Sequence, residues 1–103
     1  MDKKIEELVT QWIIKADNDY KTMTNEFSSA EPVTDSICYH AQQGVEKYLK
    51  TFLVIHGIEP YKTHNIAFLR RECEKIDPAF SSLCNIDYLS DYAVEIRYPD
   101  SFY

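Results

Sequence analysis

Glycine is nearly absent from this 103-residue chain, which holds only Gly44 and Gly57. Small all-β folds turn back every few residues and need glycine at many of those turns, so that class is excluded. Long apolar runs are missing too. The N-terminal stretch MDKKIEELVTQW interleaves charge with apolar residues, so neither a signal peptide nor a membrane span is expected. Basic residues are outnumbered, with 11 Lys and Arg against 17 Asp and Glu, which gives a formal net charge of −6 and a pI near 4.9. Coating nucleic acid nonspecifically depends on neutralising phosphates, so that role is excluded and DNA is not an expected partner, although a local basic groove is compatible with the totals. Cysteine is sparse and odd in number. Cys38, Cys73 and Cys84 show no C-x-x-C spacing and fall on or beside apolar stripes, the pattern of reduced core thiols in a cytoplasmic protein rather than of a disulfide framework.

What the chain does have is helical periodicity almost throughout. Ile5, Leu8, Val9, Trp12, Ala16, Tyr20, Met23 and Phe27 recur at steps of three and four, predicting a first helix from Lys3 to about Phe27 with Asp2 as its N-cap. Trp12 and Tyr20 invite a base-stacking reading, but at this spacing on a stripe they are read as packing. Ser28 to Pro32 interrupt the pattern, and so short a connection folds the next helix back antiparallel. That second helix begins at Thr34 or Asp35, either of which can cap it, and carries Ile37, Ala41, Gly44, Val45, Tyr48, Phe52 and Ile55 along one stripe. Gln43, Glu46, Lys47 and Lys50 form its opposite face, and Leu49 and Leu53 widen the apolar surface enough to touch more than one neighbour. Gly57 ends it, and Pro60 prevents it from resuming. A third helix is expected from His64, capped by Thr63, with Ile66, Leu69, Cys73 and Ile76 inward and Arg70 and Arg71 outward. Asp77 and Pro78 stop it. Phe80, Leu83 and Cys84 share one face while Ile86, Leu89, Ala93 and Ile96 share another, so a short turn, a break near Asn85 and a fourth helix from about Ile86 to Arg97 are expected. The chain reads as one domain spanning residues 1–103, an all-α, antiparallel up-and-down four-helix bundle.

Chemistry is harder to find. The histidines and cysteines match no metal-ligand spacing, so no metal is expected, and neither a phosphate-binding glycine loop nor an electropositive reactive thiol stands out. Two features remain. Lys62, Thr63 and His64 lie at a helix start, where free N–H groups and the positive end of the dipole suit an anion, or where Thr63 is simply a cap. Arg97 ends the fourth helix beside Asp100 and Glu95, placed either to bind an anion or to satisfy terminal carbonyls and carboxylates.

Trp12 and Ala16, the run His40-Ala41-Gln42-Gln43 with Glu46-Lys47 and Leu49-Lys50, then Thr63-His64-Asn65 and Arg97-Tyr98-Pro99, together resemble the landmarks of the HEPN family over nearly the whole chain. The resemblance implies a helical bundle with a fifth helix, here missing or short, that forms a homodimer and works with nucleotides or RNA beside a minimal nucleotidyltransferase. In this toxin–antitoxin-like setting Lys62, Thr63, His64 and Arg97 are the implied nucleotide or anion contacts, and no cofactor is implied. Members that cleave RNA without metal carry an arginine followed after four to six residues by histidine. Arg97 matches the arginine, while Phe102 and Tyr103 occupy the first two positions open to the histidine. If this activity holds, Arg97 is its catalytic residue. Some members are silenced by AMP attached to a nearby tyrosine, which makes Tyr98 and Tyr103 the candidates here. A purely structural interaction domain is the remaining alternative.

Overall fold

The computed structural model describes residues 2–59 and 61–90. It is an all-α bundle: α1 (Lys3–Phe27), α2 (Thr34–Ile55) and α3 (Ile66–Ile76), followed by a 3₁₀ stretch from Pro78–Tyr88. No strand occurs among the described residues.

Helix α1 starts as the sequence predicts, with the Asp2 carboxylate accepting the Lys4 N–H at 2.6 Å. The cap of α2 differs from expectation. Val33 occupies the N-cap and neither Thr34 nor Asp35 caps by side chain; instead Glu26, in the last turn of α1, accepts the Val33 N–H at 2.7 Å. A carboxylate already delivered by the returning hairpin thus holds the chain at the start of α2. Gly57 ends that helix in the left-handed region at φ 80°, where a Cβ would be strained. Helix α3 begins later than predicted, because Asn65 rather than Thr63 is its cap and accepts the Phe68 N–H at 3.0 Å. Thr63 acts one step earlier and accepts the Asn65 N–H at 3.1 Å.

The core lies between α2, α3 and the 3₁₀ stretch. Leu49, Leu53, Ile66, Leu69 and Cys73 are buried together, with Phe52, Phe80, Ile86 and Leu89 packed against them and the Phe52 and Phe80 rings 4.7 Å apart. Against α1, the helix α2 closes in at Gly44. A Cβ there would lie 3.4 Å from Asp19 Cβ, so a side chain larger than methyl would force the two helices apart.

Several side chains sit elsewhere than the periodicity suggested. Tyr20 and Phe27 are exposed rather than packed, and Cys84 is exposed on the 3₁₀ stretch, while Cys38 is half-buried and Cys73 buried. Arg70, expected to face outward, is only 7% exposed. Its Nε and Nη2 donate to the two Asp87 carboxylate oxygens at 2.6 and 2.9 Å, and Nη1 donates to Glu74 at 2.7 Å. A fork of this geometry makes burial of a guanidinium tolerable. The expected break falls at Leu83 (φ −98°, ψ 16°), not at Asn85, and 3₁₀ geometry persists to Tyr88. Leu89 and Ser90 are α-helical, and the rest of the expected fourth helix lies outside the described residues.

Candidate functional site

Helix α2 has neighbours on two sides, so its polar residues cannot all face water. Gln42, Glu46 and Lys50, spaced by four, form a column that is 7%, 5% and 7% exposed, so that Glu46 and Lys50, placed opposite the apolar stripe, are buried while Gln43 and Lys47 of the same face are half-buried. The Glu46 carboxylate is the hub. It accepts from Gln42 Nε2 at 3.1 Å and from Lys50 Nζ at 3.2 Å, and His64 Nδ1 lies 2.9 Å from Oε1. A buried carboxylate requires such partners, since leaving one unpaired costs several kcal/mol.

A second hub stands on the α1 side of α2. Asp19, 8% exposed, takes His40 Nδ1 at 2.8 Å on one oxygen and Lys47 Nζ at 2.5 Å on the other. Burial alone would raise the Asp19 pKa, but the hydrogen bonds and positive charges of Lys47 and His40 outweigh it and hold the carboxyl below its ordinary value. Nearby, Asp17 accepts a hydrogen bond from the Tyr48 hydroxyl, and with burial this pushes the phenol up to about 12.

Between the hubs, Gln11, Trp12, Lys15, Glu46, Lys47 and Lys50 line a depression of about 380 Å³. Three lysines and the chain's single tryptophan therefore share one surface on a protein whose net charge is −6. The sequence hinted at this only through Leu49 and Leu53, which widen the apolar surface of α2 enough for two neighbours; the polar spacing of Gln42, Glu46 and Lys50 is that of any solvated helix face.

The expected anion contacts fall in two places. Lys62 and Thr63 line a surface depression of about 360 Å³ with Tyr61, Asn65 and Phe68. His64 stands beside them, its side chain 79% exposed yet tied through Nδ1 to buried Glu46. Most N–H groups of the first turn of α3 are already engaged, that of Ile66 by Ser90 Oγ at 3.1 Å and that of Phe68 by the Asn65 cap. An anion here would therefore meet side chains more than backbone. Arg97, Tyr98 and Tyr103 lie outside the described residues. No group of three or more His, Cys, Asp or Glu able to hold a metal occurs among the described residues, and no described helix is long and apolar enough to cross a membrane.

The fold and these contacts define a small all-α bundle whose central helix buries a column of charge. Residues 9–103 match the family model of the HEPN domain, and the chain belongs to that family. No curated protein and no solved structure matches it.

Proposed function

We propose that this HEPN-domain chain is a nucleotide- or RNA-binding subunit, acting as a homodimer beside a minimal nucleotidyltransferase in a toxin–antitoxin-like module, with Lys62, Thr63, His64 and Arg97 as its anion contacts. The observation that supports it is the state of His64. A buried carboxylate, Glu46, fixes the ring through Nδ1 while most of the side chain stays in water, which leaves Nε2 without a partner among the described residues. An exposed imidazole held in one orientation is suited to binding, because its rotamer entropy is already lost before the ligand arrives. Once protonated, it offers Nε2–H to a phosphate beside the Lys62 ammonium.

Charge-assisted contacts of this kind weaken with salt. Titration of the protein with ATP and with a short RNA at low and high salt should show saturable binding at low salt and weaker binding at high salt. Lys62→Ala, His64→Ala and Arg97→Ala should each reduce it about tenfold, the equivalent of about 1.4 kcal/mol. Absence of binding to both ligands, with no nucleotidyltransferase copurifying from the native host, overturns the reading. Metal-independent cleavage of the RNA that Arg97→Ala abolishes would replace it with the endoribonuclease.

A further inference from the structure

An ammonium is tolerated inside a protein only where its donors find acceptors. Lys50 is buried and carries three N–H donors, yet Glu46, at 3.2 Å, is the one acceptor it has among the described residues. Lys47, half-buried one turn earlier on α2, likewise donates once, to Asp19 at 2.5 Å. Lys15, on α1, is exposed and has no acceptor among the described residues. The three ammonium groups therefore keep spare donors around one depression of about 380 Å³, whose lining Gln11, Trp12 and Glu46 complete. Glu46 does not neutralise all three. Its carboxylate also takes Gln42 and lies within 3.1 Å of His64 Nδ1, while Asp19, which offsets Lys47, does not line the depression. Positive charge is thus in excess here on a chain whose net charge is −6.

We infer that this depression is an anion site separate from the contacts at Lys62, Thr63 and His64, and that it takes a small phosphate monoester carrying a planar ring. The phosphoryl oxygens accept from the spare N–H groups of Lys15, Lys47 and Lys50, which act on phosphate as point charges. The ring lies on the indole of Trp12, the one aromatic side chain in the lining, because aromatic faces stack planar rings without regard to their substituents. Size agrees with this class. An apolar cavity of about 150 Å³ takes up benzene, so a depression of about 380 Å³ holds one ring and leaves room for a phosphoryl group. Nothing inside the protein has to break. Lys47 and Lys50 each retain donors after pairing with Asp19 and Glu46, so the buried carboxylates keep their partners when the ligand arrives. The charge of Glu46, which would repel a phosphate, is already engaged by Gln42 and Lys50.

Calorimetric titration of the full chain with phenyl phosphate tests this, at about pH 7.5, where a phosphate monoester carries a charge of about −1.5 to −2. Phenyl phosphate should saturate one site per chain. Inorganic phosphate should bind about fivefold more weakly, a difference of about 1 kcal/mol, and benzyl alcohol, which has the ring without the charge, should not bind. Lys15→Glu, at an exposed position, should weaken phenyl phosphate by about tenfold or more with an unchanged helical circular dichroism signal. Trp12→Leu should bring phenyl phosphate down to the level of inorganic phosphate; should that variant fail to fold, Lys15→Glu and the comparison of the two phosphates decide. Lys62→Ala should leave phenyl phosphate binding unchanged. No binding of phenyl phosphate, or binding that Lys15→Glu does not weaken, overturns the site, and equal affinity for inorganic phosphate overturns the ligand class. Loss of phenyl phosphate binding in Lys62→Ala instead overturns this site and supports the contacts of the proposed function. ATP binding that Lys15→Glu weakens and Lys62→Ala does not upholds this site and removes those contacts.

Discussion

Asp19 is bonded to Lys47 and His40 at a position 8% exposed, and its carboxyl titrates below the usual aspartate value. A carboxyl with a depressed folded-state pKa contributes stability that is complete above the unfolded value, about 3.9, and is lost as pH falls through the lower folded value. Wild type should therefore hold its urea midpoint down to about pH 4 and lose part of it below. Asp19→Asn should be less stable at neutral pH by about 1–3 kcal/mol, because Lys47 then lacks its counter-ion and His40 its carboxylate partner, and the gap should narrow toward about pH 2. Denaturation curves at several pH values check both, and a constant gap would show that the charge of Asp19 contributes nothing. Other single residues were less legible. Asp19 occupies the edge of a helix stripe, where sequence alone gives no reason to bury a carboxylate; only the positions of His40 and Lys47 one helix away supply it. The thiols illustrate the converse. Cys73, on the true core face, is pushed up to about 11 by burial, whereas Cys84 was assigned to the core by a 3.6-residue period in a stretch that adopts the three-residue period of a 3₁₀ helix.

Elements were read better than their ends. The spans of α1 and α2 were evident from spacing, and Gly57 marked the end of α2, because periodicity and a left-handed glycine are local properties. Caps were not. Glu26 accepts the Val33 N–H across the hairpin, and Asn65 rather than Thr63 caps α3, where either polar residue could have served and Ser90, distant in sequence, takes the Ile66 N–H. Arg70 was assigned outward for the same reason: its partner Asp87 arrives from the 3₁₀ stretch, whose path the pattern did not reveal. This fork fastens α3 to that stretch. Its guanidinium is raised above its usual pKa, chiefly by the hydrogen bonds with Asp87, despite burial acting the other way. Arg70→Ala should lower stability by about 2–4 kcal/mol, because it leaves Asp87 and Glu74 without a donor. Arg70→Met in an Asp87→Leu background should recover most of the loss, since a well-packed apolar pair can replace a buried ionic one. Thermal melts of Arg70→Ala and of the double variant check this, and a double variant no better than Arg70→Ala would show that shape, not charge pairing, is what Arg70 supplies.

For the whole molecule, scarcity of glycine and helical spacing were enough to indicate an all-α bundle, and the family resemblance is upheld over residues 9–103. The placement of the candidate site was only half legible. His64 was picked out as an anion contact, but its buried anchor on α2 was not, because Glu46 lies 18 residues earlier on a face that looked solvated. That anchor joins two regions of the surface, since Glu46 holds the exposed imidazole on one side and borders the depression under Trp12 on the other. The protein thus contains its own optical probe. Indole emission, selected by long-wavelength excitation to exclude the tyrosines, arises from Trp12 alone. His64→Ala frees Glu46 from one of its partners and should shift the intensity or maximum of that emission, and ATP engaging His64 in the wild type should produce a change that the variant lacks. Identical spectra for wild type and variant, with and without ATP, would show that the two sides of Glu46 are independent. With a shift, binding could be followed in real time without a label, by the light of one residue on the far side of Glu46 from His64.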